Sequence, residues 1–227
     1  MNIVRFYLKS SFVNLTKQPI RLLSSRNKSS PVMALSASKN AAKRIVWVDL
    51  EMTGLDIERD HILEIACVVT DADLNVIAKG PNIVINQPDS ILNQMKDWCV
   101  AQHGESGLTE ASRKSKVTVE DAEKEVLEFV RSHAPEKKCP LGGNSVYMDR
   151  LFIRKYMPVL DNYLHYRAID VSTVKELARR WYQKEFSFLP QKKFRHRSLD
   201  DILESIEELK YFKQNIFKQS IKLQTDV

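Results

Sequence analysis

The sequence predicts an α/β layer fold around a mixed sheet. Three observations carry that expectation. Arg44-Ile-Val-Trp-Val-Asp-Leu50 is a β-branched and aromatic run, as in a strand buried on both faces. Strand-like segments follow at once, at His61–Thr70, Asn75–Ala78 and Asn82–Asn86, which together read as an antiparallel meander with a turn at Asp71-Ala-Asp73. Helical spacing then takes over for the rest of the chain.

Apolar residues recur with a 3.6-residue period over 91–102, 119–133, 146–157, 171–183 and 199–217. Pro135, Pro158 and Pro190 stand at or beyond the ends of these segments, where a helix tolerates them. Two short apolar pieces between helices, Pro140–Gly143 and Tyr166–Asp170, are able to return to the sheet. The punctuation from about residue 43 to 218 reads as one domain, within the usual size range, followed by a flexible tail over 219–227.

The 227 residues are 43% hydrophobic and 8% aromatic, with 6 Gly and 8 Pro, which excludes collagenous and low-complexity classes. Cys67, Cys99 and Cys139 lie far apart with no C-x-x-C pair, so neither a disulfide framework nor a thiolate zinc site is encoded, and a reducing compartment is implied. Charges or turn residues interrupt every apolar stretch before the roughly 20 residues that a bilayer requires. A soluble protein with no membrane partner is expected.

The net charge of +6 is not spread along the chain. Residues 1–40 hold Arg5, Lys9, Lys17, Arg21, Arg26, Lys28 and Lys39 and no acid, which leaves 28 basic against 29 acidic residues beyond them. Steering by a global basic field is therefore weak, and a small substrate is favoured over a long duplex. The segment 1–40 alternates apolar clusters with Arg and Lys and is rich in Ser, the composition of a mitochondrial transit peptide. A disordered basic tail or an RNA-touching arm is the competing reading. A start at Met33 would drop six of the seven basic residues and leave a second, cytosolic or nuclear product.

Acids stand where apolar residues would be expected. In the first strand Ile45, Trp47, Asp49 and Glu51 share one face, opposite Val46, Val48 and Leu50. Two like charges about 7 Å apart at a buried strand's carboxyl end call for a cation, unless the strand end dips into solvent. Asp149 falls in the first turn of a helix for which Asn144 and Ser145 offer N-caps. Phe152, Ile153 and Tyr156 lie about 60°, 40° and 20° from it, so its carboxylate sits in the apolar stripe. Helix-dipole stabilisation, about 0.3–1 kcal/mol, is too small to offset burial of an unpaired charge there. In His196-Arg-Ser-Leu-Asp-Asp201, Ser198 and Asp201 resemble a capping pair; helix angle alone does not separate Asp200 from Asp201, and spacing assigns no site here.

Taken together, Asp49-x-Glu51, Asp149 and His196-x4-Asp201 resemble, in order and spacing, the DEDDh 3′→5′ exonucleases of the ribonuclease H-like fold. Closer similarity is to the oligoribonuclease family. It is carried by Trp47-Val-Asp-Leu-Glu-Met-Thr-Gly-Leu55, Gly143-Asn-Ser145, His165-Tyr-Arg167, Asp170-Val-Ser-Thr-Val-Lys-Glu-Leu177 with Arg179-Arg-Trp181, and His196-x-x-x-Asp-Asp-Ile202.

The resemblance implies a two-cation site of Mg²⁺ or Mn²⁺ on Asp49, Glu51, Asp149 and Asp201, with Asp49 bridging, and His196 as general base. It implies that Leu55 wedges between two bases and Trp98 stacks on one. It also implies a homodimer in which Ser145 caps the 5′ phosphate of very short single-stranded RNA. Tyr166, Arg167 and Ser172, reached from the other subunit, would complete the cap, with His103 and His165 as further candidates. The expected activity is hydrolysis of dinucleotides and slightly longer RNA to 5′-mononucleotides. An exonuclease acting on longer RNA or DNA, and a non-catalytic nucleotide-binding or scaffold protein, are the competing expectations.

Overall fold

The computed structural model describes residues 40–191 and 197–217. Strands β1 (Ile45–Met52), β2 (Ile62–Thr70), β3 (Val76–Val84), β4 (Leu141–Gly143) and β5 (Ala168–Asp170) form one sheet in the order β3-β2-β1-β4-β5. The first three pair antiparallel, whereas β1–β4 and β4–β5 pair parallel. The helices are α1 (Asp89–Leu92), α2 (Asp97–Glu105), α3 (Leu108–Lys114), α4 (Val119–His133), α5 (Tyr147–Tyr156), α6 (Pro158–Tyr163), α7 (Val171–Trp181), α8 (Gln183–Phe186) and α9 (Ser198–Asn215).

The alternation of β1 divides the core. Val46, Val48 and Leu50 pack with Val126 and Val130 of α4 and Phe152 and Ile153 of α5. Ile45 and Trp47 pack on the other face with Val171 of α7 and Ile202, Ile206 and Phe212 of α9. Both faces of the sheet are thus covered, which is why β1 and β2 read as nearly continuous apolar runs. The indole of Trp47 donates to the Thr70 hydroxyl at 2.9 Å, so its one polar atom is satisfied in the interior.

Several boundaries differ from the sequence reading. Instead of two segments with a break at Gly80-Pro81, β3 is one strand with register shifts against β2. As an edge strand it tolerates a proline that lacks an N–H. The helix expected over 91–102 is two, α1 and α2. The helix α5 starts after Val146 with no side-chain cap, and α9 starts after Arg197 with none, so the capping roles expected of Asn144, Ser145 and Ser198 are not realised. Among the described residues no helix is long and apolar enough to cross a membrane, and the three cysteines are free and buried.

Candidate active site

Where β4 ends, β1 loses its neighbour on one side, and a side chain takes over. The Val46 N–H still finds a backbone partner, donating to the Pro140 carbonyl at 3.0 Å. Four residues on, the Leu50 N–H donates instead to Asp149 Oδ1 at 2.9 Å. Asp149 is only 6% exposed, on the first turn of α5. The helix thereby delivers a carboxylate to the free edge of β1, next to the strand's two acids.

Those acids occupy the face toward α9. Carboxylate oxygens of Asp49, Glu51 and Asp201 lie within 4.8 Å of one another, with Asp201 supplied by the first turn of α9. Burial, followed by repulsion from Asp149, Glu51 and Asp201, pushes the Asp49 carboxyl well above the usual range. The same causes push Glu51 up to about 8, with burial first, then Asp201, Glu64 and Asp149, while Arg197 opposes them. Burial likewise raises Asp149 to about 7 against the pull of the Leu50 N–H. An all-oxygen donor set whose ionised form is so disfavoured fits hard divalent cations, which take carboxylate oxygens and stabilise the charge. His196 lies outside the described residues.

The remaining sequence-predicted residues fall into three groups. Thr53–His61 forms a loop closed on Asp60, whose Oδ1 accepts from the Thr53 hydroxyl at 3.0 Å and whose Oδ2 accepts from the Asp56 N–H at 2.8 Å. Leu55 stands out from this loop, 66% exposed, beside a cavity of about 160 Å³ that also meets Ile91, Gln94 and Lys96. On α2, Trp98 faces outward at 61% exposed while His103, five residues on, turns inward at 1%. The His103 Nε2–H donates to the Met52 carbonyl at 2.9 Å, and Nδ1 stands 4.0 Å from Glu51. His103 therefore sits behind a cluster acid, not on the open surface.

Ser145, Ser172 and Asp170 meet at the carboxyl ends of β4 and β5 within one chain, so Ser172 reaches Ser145 without the second subunit from which it was expected. Ser145 takes a left-handed backbone conformation, φ 50°, and its N–H is shared by Asp170 Oδ1 and the Ser172 hydroxyl, each at 2.9 Å. Ser172 donates to Asn144 Oδ1 at 3.0 Å, and Asn144 donates to the Ser205 hydroxyl on α9 at 2.5 Å. Half-buried His165 and exposed Tyr166 and Arg167 form a stack on the loop between α6 and β5. Ring centroids of His165 and Tyr166 are 4.4 Å apart, and the Arg167 guanidinium lies 5.4 Å from the Tyr166 ring. Their backbone is held by Arg150, which donates to the His165 carbonyl at 3.0 Å.

With this geometry in hand, the RNase_T exonuclease family matches residues 46–209, a span that contains the three clustered carboxylates and Asp149. The human protein named mitochondrial oligoribonuclease is 57% identical over 83% of this chain and 79% of its own length. The chain belongs to the oligoribonuclease family of exonucleases. A probable oligoribonuclease of Dictyostelium discoideum is 59% identical over 78% of this chain and 92% of its own. The oligoribonuclease of Acinetobacter baylyi is 49% identical over 77% and 94%. Among solved structures, exonuclease I of Methylocaldum szegediense shares the fold at a TM-score of 0.59 and 14% identity, over 76% of this chain and 41% of that one. Exonuclease I of E. coli in a complex with single-stranded DNA, in its metal-free form, gives 0.59 at 16% identity, over 77% and 40%. The chain spans about two fifths of those longer enzymes, so the likeness speaks to the fold, the ribonuclease H-like exonuclease architecture, and to nothing further. Oligoribonuclease-like blocks and observed geometry coincide at the carboxylates.

The sequence reading passed over one residue next to this family's acidic cluster. Glu64 is a lone acid in the run Ile62–Thr70, every residue of which is buried, and it lies opposite Glu51 in the β1–β2 register. An acid inside an unbroken apolar run was the available signal.

Proposed function

We propose that this chain is a 3′→5′ exoribonuclease that hydrolyses very short single-stranded RNA, dinucleotides above all, to 5′-mononucleotides. The observation that carries the reading is the meeting of Asp49, Glu51 and Asp201 oxygens within 4.8 Å, with buried Asp149 beside them. Two Mg²⁺ or Mn²⁺ ions, when bound, stabilise the attacking and leaving oxygens of an in-line displacement at phosphorus. The chain's part is to place the oxygens that hold them, on Asp49, Glu51, Asp149 and Asp201. His196 accepts the proton of the attacking water, a role suited to an unperturbed pKa near 6.5.

Recognition is stacking and capping. Exposed Leu55 and Trp98 engage the two bases without reading sequence. Ser145 and Ser172 bind the 5′ phosphate, helped by His165, Tyr166 and Arg167 contributed from a second copy of the chain. A closed phosphate end leaves a longer strand nowhere to continue, which sets the preference for dinucleotides. The exposed Leu177 and Trp181 of α7, with Phe188 beyond α8, support self-association as a homodimer.

The human and bovine relatives are named mitochondrial. Residues 1–40, of which 1–39 lie outside the described residues, act here as a mitochondrial presequence, and initiation at Met33 supplies a second, cytosolic product. Fusing residues 1–32 to a reporter tests this: import supports it and a diffuse cytosolic signal overturns it.

The activity is tested by incubating the purified chain with 5′-phosphorylated RNA of two to twenty nucleotides, with and without chelator, and measuring product masses. Mononucleotides from the dimer at rates far above those for the twenty-mer, abolished by chelator, support the proposal. Equal rates at all lengths would point to a general exonuclease. Retained turnover in Asp49→Asn would end the carboxylate-held cation mechanism, and no turnover in the parent chain would leave only a nucleotide-binding protein.

A further inference from the structure

Glu64 is completely buried opposite Glu51 in the β1–β2 register, yet it is not in the three-carboxylate group and its oxygens are taken by the start of α9. Arg197 grips it with Nη2 at 2.6 Å from Oε1 and with Nε at 3.2 and 3.1 Å from the two oxygens. The Ser198 N–H donates to Oε2 at 3.2 Å. Arg197 and Ser198 begin α9, which has no side-chain cap of its own, so a carboxylate 134 residues away in the chain caps it. Negative charge at that position also complements the helix dipole.

We propose that Glu64 and Arg197 are positioning residues, a buried ion pair that fixes the start of α9 and so holds the Asp201 carboxylate against Asp49 and Glu51. The connection is short. Arg197 accepts the Asp201 N–H at its carbonyl, 3.0 Å away, while its guanidinium is locked to β2. Ser205 donates to the Asp201 carbonyl at 2.7 Å and ties the next turn to it. Asp201 is thus referenced through two hydrogen-bonded residues to the strand that pairs with β1, the strand of Asp49 and Glu51.

Stability alone does not account for the pair. Well-packed apolar side chains of similar volume commonly stabilise a core as well as a buried ion pair does, whereas a guanidinium fork fixes orientation. Here the fork sets a helix end whose first turn supplies one ligand of a three-carboxylate group. Arg197 also offsets a charge that would otherwise add to the repulsion on Glu51.

The inference rests on the reading of Asp49, Glu51 and Asp201 as cation ligands, so its test separates the two. Mn²⁺ binding to the full chain without substrate is followed by the electron paramagnetic resonance of the free ion. Dinucleotide kinetics and thermal melting are measured alongside for Glu64→Gln, Arg197→Lys and Asp201→Asn. The expected result for Glu64→Gln and Arg197→Lys is Mn²⁺ affinity weakened at least fivefold. Their kcat at saturating Mn²⁺ falls at least tenfold with KM within threefold, in protein that remains folded. A lower melting temperature with Mn²⁺ affinity and kcat within twofold of the parent would overturn the positioning role and leave the pair merely structural. Should Glu64→Gln not fold, Arg197→Lys carries the same test, its side chain being 37% exposed. Unchanged Mn²⁺ affinity in Asp201→Asn would overturn the carboxylate-site reading itself, and this inference with it.

Discussion

The backbone N–H of Leu50 and the side chain of Asp149, 99 residues apart, are joined by a 2.9 Å hydrogen bond at the point where β4 stops pairing with β1. Asp149 thus stands in for a missing strand and supplies a carboxylate to the acidic cluster with the same group. The two roles separate by substitution. In Asp149→Asn the amide oxygen still accepts from Leu50 while the charge is gone. Its fold is expected to match or exceed the parent in stability without cation, since one source of repulsion on Asp49 is removed. Turnover should fall by about 10²-fold or more, the scale of several kcal/mol of lost charge stabilisation. Asp149→Ala in addition strands a buried N–H, a further loss of about 1–3 kcal/mol. Urea denaturation and dinucleotide turnover measure the two effects; equal stability of Asn and Ala variants would contradict the structural role.

Stability without cation should run opposite to the common acid-denaturation pattern. Glu51 is pushed up to about 8 and Asp149 to about 7, both far above the unfolded chain's carboxyls. The folded state therefore holds these protons more tightly, and the stability they contribute is present at low pH and lost as pH rises through 7 to 8. His61, whose pKa burial lowers, has the opposite slope, but its effect is complete once both states are neutral above its ordinary value of 6.5. The window from pH 7 to 8.5 is set mainly by the acids, with a smaller contribution of the same sign near its top from Cys67, Cys99 and Cys139, whose thiols burial pushes up. In chelator the melting temperature should fall across it, and saturating Mg²⁺ should flatten or reverse the fall because the cation favours the ionised carboxylates. Calorimetry at pH 7 in buffers of different ionisation enthalpy should show protons released on Mg²⁺ binding. A melting temperature that climbs from pH 7 to 8.5 in chelator would refute the assignment.

What the sequence made legible was local, and what it hid was long-range. The spacing over 119–133 becomes α4 with the same bounds, because a two-sided helix on a sheet advertises its period. The face shared by Ile45, Trp47, Asp49 and Glu51 follows from strand alternation alone and is observed. The caps were misjudged because their polar groups are recruited from afar. Ser145 and Asn144 bond to α7 and α9, and Ser198 is capped by Glu64. No spacing rule reports partners 27, 61 and 134 residues away. Helix angle likewise left Asp201 indistinct from Asp200; the resemblance singled out Asp201, and α9 brings it to Asp49 and Glu51.

Leu55 and Trp98 are large apolar side chains, 66% and 61% exposed, and Leu55 borders a cavity, a placement that suits two stacked bases. Trp98→Ala should raise KM for a dinucleotide by about 5- to 150-fold, the equivalent of about 1–3 kcal/mol for one stacked base. The value of kcat should stay within a fewfold, and Trp98→Phe should recover most of the loss. All four bases should respond similarly, because stacking does not read hydrogen-bonding edges. A Trp98→Ala enzyme with unchanged KM on every dinucleotide would place the base elsewhere.

Gly54 tests whether the loop that presents Leu55 must be preorganised. A Cβ on Gly54 would lie 2.3 Å from Asp60 Oδ2, inside the carboxylate that closes the loop on Thr53 and Asp56. In Gly54→Ala the carboxylate has to move, which breaks hydrogen bonds that fix the loop but leaves Asp49, Glu51, Asp149 and Asp201 where they are. Substrate affinity should therefore suffer before chemistry does, with KM raised at least fivefold and kcat lowered less. Adding Asp60→Ala removes the clash and the bonds together. It should not restore KM, because the loop is then unclosed, not merely displaced. If the double variant regained the parent's KM, steric relief would suffice, and the Asp60 closure would have no part in holding Leu55 for the base.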